Sequence, residues 1–497
     1  MGIVAKQTLK GSIWSYLGVA IGFVTTTYLY TNYLTPEVVG LFGLLIAIGT
    51  ITSVLASLGF NGVTLRMFPK FRDKTSGHHG FLFSNVVPQA IGFLLFLLLF
   101  FLFREKLVET NLEKSKLFAD YIDLIIPVTF FFLVYNVFDS YLKVLYDAVT
   151  GTFLQEFFQR VMIFLVVVLY ALKLLTLPQL IMGFTVAISF KTLVILGVVG
   201  WRGELSLRRP KGYISRPLRK EMIDVALFYI LGGVGSLMVF NIDKIVINQM
   251  LDLRNTGVYT IAFYFGTLVV IPSRPLLKIA GTLIADAWEK NDRGKINEIY
   301  AKSCINQFII GAFLFLGIWA NIDNILEILG PDYAGSKWVI FFICFGYLID
   351  MLTGVNGQII LLSKDYRISM WFMAGLVVLV VALLYFLIPV WGITGAAIAI
   401  ALALFLNNLM RFLFLWVKYK MQPFNSKFLL VTAFYLAVYF LLLLIPRKEL
   451  IVDLLMRGLI ICGATGLFFW SVPVSEDIKL MKNSIKKILT KICHNKK

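Results

Sequence analysis

Apolar and polar residues alternate along this chain in long blocks rather than one by one. Segments such as 91–103 and 374–390 are almost entirely apolar, and short polar segments separate them from their neighbours. About 20 consecutive apolar residues are needed for a helix to cross the hydrocarbon core of a bilayer. The pattern therefore predicts an all-α polytopic membrane protein.

The apolar blocks accommodate about 14 transmembrane helices of the length that a bilayer requires. Several blocks are longer than this, which predicts tilt, kinks or extension beyond the bilayer. The predicted helices lie near residues 11–34, 38–65, 80–103, 119–146, 152–172, 178–201, 221–248, 256–288, 303–320, 334–362, 367–388, 391–417, 427–445 and 452–472.

The distribution of basic residues orients these helices. With the N-terminus in the cytoplasm, most of the 46 Lys and Arg residues fall on inner segments and inner helix ends. The richest of these are residues 66–74, residues 201–220 and the tail after Ser475, whereas the outer loop at 321–338 is acidic and nearly free of cations. Cytoplasmic loops carry such an excess of positive charge. Both termini are therefore predicted to be cytoplasmic.

Composition narrows the functional classes. Of the 497 residues, 59% are apolar and 15% are charged, whereas soluble domains average about 45–50% and about 25%. Cytoplasmic loops account for the net charge of +18, so no nucleic-acid partner is predicted. The four cysteines show no paired spacing, and the sequence contains neither a Walker-type loop nor an HExxH motif. We therefore expect no enzyme activity, no metal site and no cofactor.

A weak internal repeat divides the chain. The shift along the sequence that brings Gly40 onto Gly257 also brings Asp139 onto Asn356. Six helices separate the two copies, so the copies run parallel and predict two six-helix lobes around a central cavity. The predicted divisions are an N-lobe with helices 1–6 (1–201), a basic cytoplasmic linker (202–220), a C-lobe with helices 7–12 (221–417), helices 13 and 14 (418–474) and a basic amphipathic cytoplasmic tail (475–497).

Arg274 and Lys278 lie four residues apart inside the apolar run of the eighth predicted helix. That spacing puts both cations on one helical face, and a charge at the membrane centre costs roughly 2.5–3.5 kcal/mol on insertion scales. Pro272 and Pro275 flank Arg274 and predict a kink. Two interpretations follow. The pair is a gate or an anion-binding site, or Lys278 snorkels to the inner surface while Arg274 pairs with a carboxylate.

Lys191 stands near the middle of the sixth predicted helix, too deep for its side chain to reach the membrane surface easily. It therefore requires a cavity or a partner inside the membrane. Contact with a substrate and a structural salt bridge are both open interpretations at this position.

A third polar group lies near the outer end of the seventh predicted helix. Asn241, Lys244 and Asn248 share one face there, while Asp243 points elsewhere because adjacent residues do not face each other. The face is a candidate outward patch for sugars, although snorkelling explains Lys244 equally well.

The acidic residues within the apolar spans are candidate partners for these cations. Asp139 in the fourth predicted helix and Asp350 in the tenth are interpreted as counter-ions, or as groups that bind H⁺ or Na⁺ and couple transport to an ion gradient. Asp243 is a further candidate of this kind. Arg66 closes the second predicted helix at the inner interface, where it can guide an anionic head group.

Six short stretches, in order along nearly the whole chain, resemble one known family. The chain is similar to the bacterial polysaccharide (oligosaccharide) flippases of the multidrug/oligosaccharidyl-lipid/polysaccharide exporter superfamily. The stretches are residues 10–18 (KGSIWSYLG), 58–66 (LGFNGVTLR), 241–262 (NIDKIVINQMLDLRNTGVYTIA), 328–336 (ILGPDYAGS), 356–367 (NGQIILLSKDYR) and 392–399 (GITGAAIA).

The resemblance implies translocation of an undecaprenyl-pyrophosphate-linked oligosaccharide from the inner to the outer leaflet of the bacterial inner membrane. The pyrophosphate is multiply charged, so fixed cations in a cavity of low dielectric constant would attract it. Arg274, Lys278 and Lys191 are the predicted head-group contacts. The prenyl tail is expected to stay among membrane lipids, and the polysaccharide polymerase and chain-length machinery are candidate partners.

Two transporters of similar architecture are alternatives. A lipid II flippase typically carries several arginines in its first two helices, whereas no charged residue lies here between Lys10 and Glu37. A cation-coupled multidrug exporter would favour acidic and aromatic residues in its cavity, and Asp139 and Asp350 keep that alternative open. A non-transporting scaffold is the third alternative, and it predicts that the buried charges affect stability alone.

Overall fold

The computed structural model of the protein contains only helices among the regular elements that it describes, so the predicted all-α architecture is confirmed. Most of the predicted amphipathic tail lies outside the described residues, as do residues 210 and 211 of the predicted basic linker. The described residues are 3–209, 212–472, 474–477 and 482.

Twelve α-helices precede residue 252. Two π-helical segments continue this series, one between α1 and α2 (Thr25–Leu29) and one between α8 and α9 (Phe153–Phe158). The helices are α1 (Ile3–Val24), α2 (Tyr30–Tyr33), α3 (Pro36–Ala56), α4 (Phe60–Met67), α5 (Phe81–Leu112), α6 (Lys116–Asp120), α7 (Ile125–Val144), α8 (Val149–Thr152), α9 (Gln159–Ala171), α10 (Leu177–Trp201), α11 (Arg216–Val239) and α12 (Ile242–Met250).

Nine further α-helices follow in the remainder of the described chain. Short 3-10 segments lie between helices in both parts, for example Phe68–Phe71 and Pro331–Ser336. The helices are α13 (Leu253–Val270), α14 (Ser273–Glu289), α15 (Arg293–Trp319), α16 (Ile322–Leu329), α17 (Lys337–Leu352), α18 (Asn356–Leu362), α19 (Tyr366–Tyr419), α20 (Ser426–Leu443) and α21 (Leu450–Ser471).

Polar side chains determine where several of these helices begin. At the start of α10, Gln179 Oε1 accepts a hydrogen bond of 2.8 Å from the backbone N–H of Thr176, which completes a capping box. At the start of α15, the Lys295 N–H donates to Asp292 Oδ1 at 2.9 Å. Such caps satisfy N–H groups that have no partner within the first turn of a helix.

The outer faces of the long helices are apolar. On α5 the side chains of Leu98 and Leu102 are 66% and 70% exposed, and Leu429 of α20 and Leu459 of α21 are 75% and 72% exposed. An apolar surface of this extent would be a liability in water, whereas lipid tails cover it in a bilayer. The exposed leucines therefore agree with the predicted membrane environment.

The helices of the described residues were compared with the predicted membrane spans. Among the described residues, 11 helices are long and apolar enough to cross a membrane, or 12 if the bent pair α13 and α14 forms one span. The predicted count of about 14 spans is therefore not confirmed. The 54-residue α19 covers the predicted eleventh and twelfth helices across a kink at Gly392, and the predicted seventh helix is split between α11 and α12.

The contacts divide the chain into two compact units. The first unit comprises Met1–Ile261 and Met373–Ala396, and the second comprises Ala262–Phe372 and Ala397–Lys497. The helices α11 and α12, which were predicted to open the C-lobe, thus belong to the same unit as the first ten helices. The contact between α11 and α4 accounts for this grouping.

The core of the first unit is aromatic. α7 packs against both α3 and α10, and α10 packs against α9. Near the predicted cytoplasmic ends of these helices, the Phe68 ring lies 5.3 Å from Phe81 and 5.4 Å from Tyr141 between ring centres, and all three side chains are almost completely buried. This core holds α7 and α10 in the positions from which their polar residues meet.

In the second unit α15 is the central helix. It packs against α14 and α17 and against the last two helices, α20 and α21. Tyr435 Oη of α20 donates to the Ile309 carbonyl of α15 at 3.0 Å, and Trp288 Nε1 of α14 donates to the Ile359 carbonyl of α18 at 3.1 Å. The two C-terminal helices therefore pack on α15.

Candidate functional site

Lys191 lies just past the middle of α10 and is 4% exposed. Its Nζ atom lies 4.7 Å from the centre of the Phe132 ring and 4.4 Å from the centre of the Tyr135 ring, both on α7. The negative face of an aromatic ring attracts a cation, and exclusion of water strengthens the attraction. The deep lysine that the sequence predicts is therefore held by two aromatic rings.

Two carboxylates, those of Asp139 and Glu156, act electrostatically on Lys191. Each carboxylate has a nearer cation as its direct partner. Asp139 Oδ2 lies 2.5 Å from Lys143 Nζ, and Glu156 Oε2 lies 3.0 Å from Arg160 Nη2. Both pairs join residues four apart on a helix, which is a favourable spacing for an ion pair. We call these five charged side chains, together with the rings of Phe132 and Tyr135, the Lys191 cluster.

The Lys191 cluster carries one positive charge in excess when all of its groups are ionised. Its three cations are Lys191, Lys143 and Arg160, and its two anions are Asp139 and Glu156. A buried charge without full compensation is costly, and proteins resolve the cost by pairing, by proton loss or by binding a ligand of opposite charge. The cluster is thus suited to hold an anion beside Lys191.

Backbone contacts position the two acidic residues. A Cβ atom on Gly151 would collide with Asp139 Oδ1, so a glycine is required for the carboxylate to lie against this part of α8. The Tyr135 hydroxyl donates to the Gly151 carbonyl at 2.7 Å. The π-helical segment between α8 and α9 carries Glu156, whose carbonyl lies against Gly18 of α1. Segments with π-helical turns occur frequently at functional sites.

Several polar atoms on the helices of this cluster are buried without a partner among the described residues. They are Gln159 Oε1, Arg160 Nη1 and Ser189 Oγ. Leaving such an atom unsatisfied costs about 1–3 kcal/mol. Water molecules or polar groups of a ligand commonly occupy such places. The unsatisfied atoms therefore support the view that α9 and α10 border a binding site.

The polar residues of α12 form a separate group in the first unit. Asp243 is fully buried and accepts a hydrogen bond of 2.8 Å from the Tyr259 hydroxyl. Lys244 Nζ lies 3.9 Å from Asp243 Oδ1, while Asn248 accepts from Ser115 and donates to Asn111 at 2.8 and 2.9 Å. Asp243 and Asn248 thus have different partners, but Asp243 lies within ion-pair distance of Lys244, whereas the helical spacing predicts that these adjacent side chains point apart.

Asn241 occupies the N-cap position of α12 and makes no capping hydrogen bond with its side chain. It is half-buried, and it lies at the break between α11 and α12. A polar side chain at a helix break within a membrane protein is compatible with the predicted polar patch, since irregular backbone is tolerated where it lines a cavity.

The other predicted cations are exposed. Arg274 and Lys278 lie one turn apart on an exposed face of α14, and Arg66 is exposed near the end of α4. α13 and α14 are bent by 44° relative to each other around Pro272. The kink that the prolines predict is therefore present.

Asp350 lies in a hydrogen-bond network of the second unit whose centre is Asn408 of α19. Asn408 Nδ2 donates to Asp350 Oδ1 at 3.0 Å, and Asn408 Oδ1 accepts from Thr353 Oγ1 at 2.9 Å and from Asn356 Nδ2 at 3.0 Å. Arg411, one turn further along α19, interacts electrostatically with Asp350. We call these five residues the Asn408 network.

The structure distributes the predicted site residues between the two units. Lys191 and Asp139 share one cluster, and Lys244 and Asp243 share another. The first unit holds Lys191, Asp139, Lys244, Asn241, Asp243 and Arg66, and the second unit holds Arg274, Lys278 and Asp350.

Several residues of the Lys191 cluster and the Asn408 network were not predicted as site residues. Phe132 and Tyr135 resemble ordinary core aromatics in the sequence, and no local pattern separates them from the other rings of α7. Asn408 carries a detectable signal, because the shift that relates the two copies of the internal repeat places Lys191 on it. Arg411 lies three residues after Asn408, within one turn of the same helix.

The sequence matches a known family model over more than half of its length and one curated relative over nearly all of it. The model of a family described as "Polysaccharide biosynthesis protein" matches residues 6–284. An uncharacterized membrane protein of Methanocaldococcus jannaschii is 21% identical over 519 residues, which cover 98% of this chain and 99% of the relative.

Solved transporter structures share the fold. The lipid II flippase MurJ in an inward closed conformation superposes with a TM-score of 0.73 at 14% identity, over 92% of this chain and 98% of MurJ. An inward-facing multidrug resistance MATE transporter of the MOP superfamily gives 0.59 at 15% identity, over 82% of this chain and 94% of that one. A MOP superfamily transporter from Pyrococcus furiosus gives 0.51 at 13% identity, over 84% and 95%.

Proposed function

The chain belongs to the polysaccharide biosynthesis protein family, and from this premise we propose that it is a flippase for undecaprenyl-pyrophosphate-linked oligosaccharides. It moves these glycolipids from the inner to the outer leaflet of the bacterial inner membrane, for the synthesis of O-antigen, capsule or exopolysaccharide. Both of its termini are cytoplasmic, and it performs no covalent step.

The observation that supports this proposal is the excess positive charge of the Lys191 cluster. A pyrophosphate head group that crosses the hydrocarbon region must exchange its hydration shell for protein groups. Lys191 supplies an ammonium group in surroundings of low dielectric constant, where attraction to an anion is much stronger than in water. The binding of the head group would in turn offset the cost of the buried lysine.

The other predicted cations serve the same head group at other stages. Arg66 guides it from the cytoplasmic leaflet, and Arg274 and Lys278 contact it from the bent helix pair α13 and α14. Lys244 and Asn241 contact sugars near the outer end. Two lobes that rock around the bound head group would give alternating access.

An ion gradient is the energy source in this proposal. Asp139, Asp350 and Asp243 are the groups that would take up H⁺ or Na⁺, because each is a carboxylate within an apolar helix. Uptake of a cation at Asp139 would change the charge of the Lys191 cluster, and this change would couple ion binding to head-group binding. The polysaccharide polymerase and the chain-length machinery receive the flipped unit.

A lipid II flippase is the second candidate function. The similarity to the MurJ structure favours it, because MurJ shares the fold over nearly its full length. The lack of charged residues between Lys10 and Glu37 argues against it, because a lipid II flippase typically carries several arginines in its first two helices. A multidrug exporter is a third candidate on the basis of the MATE fold, but the excess charge of the Lys191 cluster would repel a cationic drug.

The test is transport in a strain that lacks the protein. Lys191→Gln removes the charge and Lys191→Arg keeps it, and Lys173→Gln is the matched control because Lys173 is exposed in the turn between α9 and α10. Membrane abundance is measured for each variant, and exposure of lipid-linked oligosaccharide on the outer leaflet is the readout.

We expect Lys191→Gln to lower this exposure by more than about tenfold at normal abundance, which corresponds to about 1.4 kcal/mol of lost head-group stabilisation. Lys191→Arg should retain part of the activity, and Lys173→Gln should retain all of it. Full activity of Lys191→Gln would contradict the cationic head-group site, and exposure of lipid II in place of the oligosaccharide would favour the second candidate.

A further inference from the structure

Two glycines related by the internal repeat touch each other in the first unit. A Cβ atom built on Gly40 would collide with the Leu253 carbonyl oxygen and would lie 3.0 Å from the Gly257 nitrogen. A Cβ atom on Gly257 would collide with the Pro36 carbonyl oxygen and would lie 3.0 Å from the Gly40 nitrogen. The backbones of α3 and α13 therefore meet directly at Gly40 and Gly257, and the contact is reciprocal.

The neighbouring contacts follow the same relation. Glu37 Oε1 lies 3.7 Å from Arg254 Nη1, and a Cβ atom on Gly43 would lie 2.5 Å from Thr260 Oγ1. The members of each pair have the same separation along the sequence as Gly40 and Gly257. Residues at equivalent positions of two copies meet in this way only around a two-fold axis, as in an isologous dimer interface.

We propose that this contact, which we call the α3–α13 latch, closes the outer end of the transport pathway and must open once in each cycle. The inference rests on the proposed flippase function and on the predicted orientation, which puts the first turns of α3 and α13 at the outer surface. Because the latch lies on an internal two-fold axis, all of its contacts separate together when the two copies move apart.

The chemistry of the latch suits repeated opening. The side chains of Glu37 and Arg254 are 38% and 53% exposed, so water screens their attraction and replaces it when they part. The glycine contact gains van der Waals energy from close backbone approach, which is how small residues associate helices in membranes. Such a contact packs closely, yet only a small energy is needed to separate the two helices.

Disulfide trapping tests the latch. The double variant Glu37→Cys/Arg254→Cys is made in a background where the native cysteines are replaced by serine, and it is oxidised in the membrane. We expect at least a tenfold loss of oligosaccharide exposure on oxidation and recovery on reduction. Arg104→Cys/Asp123→Cys is the matched control, because this exposed ion pair of 2.7 Å joins α5 to the segment before α7 within the first predicted lobe. Its crosslink should not change transport.

A second readout does not depend on the identity of the substrate. Gly40→Ala should hold the latch open, so a cysteine at Thr260 should react several times faster with a membrane-impermeant maleimide added from outside. If the crosslinked Glu37/Arg254 pair transports normally, or if Gly40→Ala leaves the labelling rate unchanged, the latch is overturned. If labelling rises as expected but the oligosaccharide is never transported, the latch stands and the proposed substrate fails.

Discussion

The Lys191 cluster and the Asn408 network occupy equivalent places in the two halves of the repeat, yet they differ in chemistry. The shift that relates the two halves brings Lys191 onto Asn408 and Asp139 onto Asn356. In the second half, Asn408 Oδ1 accepts hydrogen bonds from Asn356 at 3.0 Å and from Thr353 at 2.9 Å, and Asn408 Nδ2 donates to Asp350. In the first half the lysine lies over aromatic rings, and the aspartate pairs with another residue.

We expect this difference to distinguish contacts that mainly stabilise the fold from a cluster that binds an anion. The hydrogen bonds of Asn408 satisfy one another, so this part of the network needs no ligand and stabilises the packing of α17, α18 and α19. The Lys191 cluster has one cation more than it has anions, and its buried member Lys191 has no carboxylate as a direct partner, which favours the binding of an anion. In the proposed function, the first half of the repeat therefore binds the anion, while the hydrogen bonds of Asn408 stabilise the second half.

The largest effect is expected when the first half is converted to the chemistry of the second. The double variant Lys191→Asn/Asp139→Asn should abolish oligosaccharide exposure, because the amides cannot attract a pyrophosphate as an ammonium does. Membrane abundance should stay near normal, because one buried cation and one buried anion are removed together and Lys143, which loses its partner, is 44% exposed. Transport assays with quantified abundance check this outcome, and retained transport would show that the ammonium group of Lys191 is dispensable.

A smaller effect, on stability rather than on transport chemistry, is expected in the second half. Asn408→Leu removes a hydrogen bond from each of Asp350, Thr353 and Asn356, and the loss at the buried Asn356 amide alone costs about 1–3 kcal/mol. Thermal unfolding of the purified protein in detergent measures the loss. Asn407→Leu is the matched control, because the Asn407 side-chain oxygen is buried without a partner among the described residues. Equal destabilisation by both variants would show that the hydrogen bonds of Asn408 make no particular contribution to stability.

The smallest effect is expected when one of the aromatic rings beside Lys191 is removed. Tyr135→Leu removes a cation–π interaction of about 0.5–2 kcal/mol, which corresponds to a roughly 2- to 30-fold loss of head-group affinity if Lys191 is less well positioned. Tyr135→Phe keeps the ring and loses only the hydrogen bond to Gly151, so it should change transport less. The apparent affinity in vesicle transport assays distinguishes the two. A larger loss in Tyr135→Phe would assign the function to the hydroxyl instead.

Part of the candidate site was predictable from local sequence. The depth of Lys191 in its helix, the acidic residue Asp139 within another apolar helix and the kink at Pro272 each follow from a pattern within a single segment. The partners were not predictable in the same way. Asp350 was interpreted as a counter-ion for a distant cation, but its hydrogen bond is to Asn408, far along the chain, and that contact depends on how α17 and α19 pack.

The sequence by itself determined where the chain meets lipid, where charge enters the apolar helices and to which family the chain belongs, because hydropathy, helical spacing and short motifs are local properties. The tertiary structure alone decided that an aromatic pair holds Lys191 and that Gly40 touches Gly257 from a distant part of the chain. Such contacts depend on the crossing of helices far apart in the chain, and their energies belong to pairs of residues rather than to either residue alone.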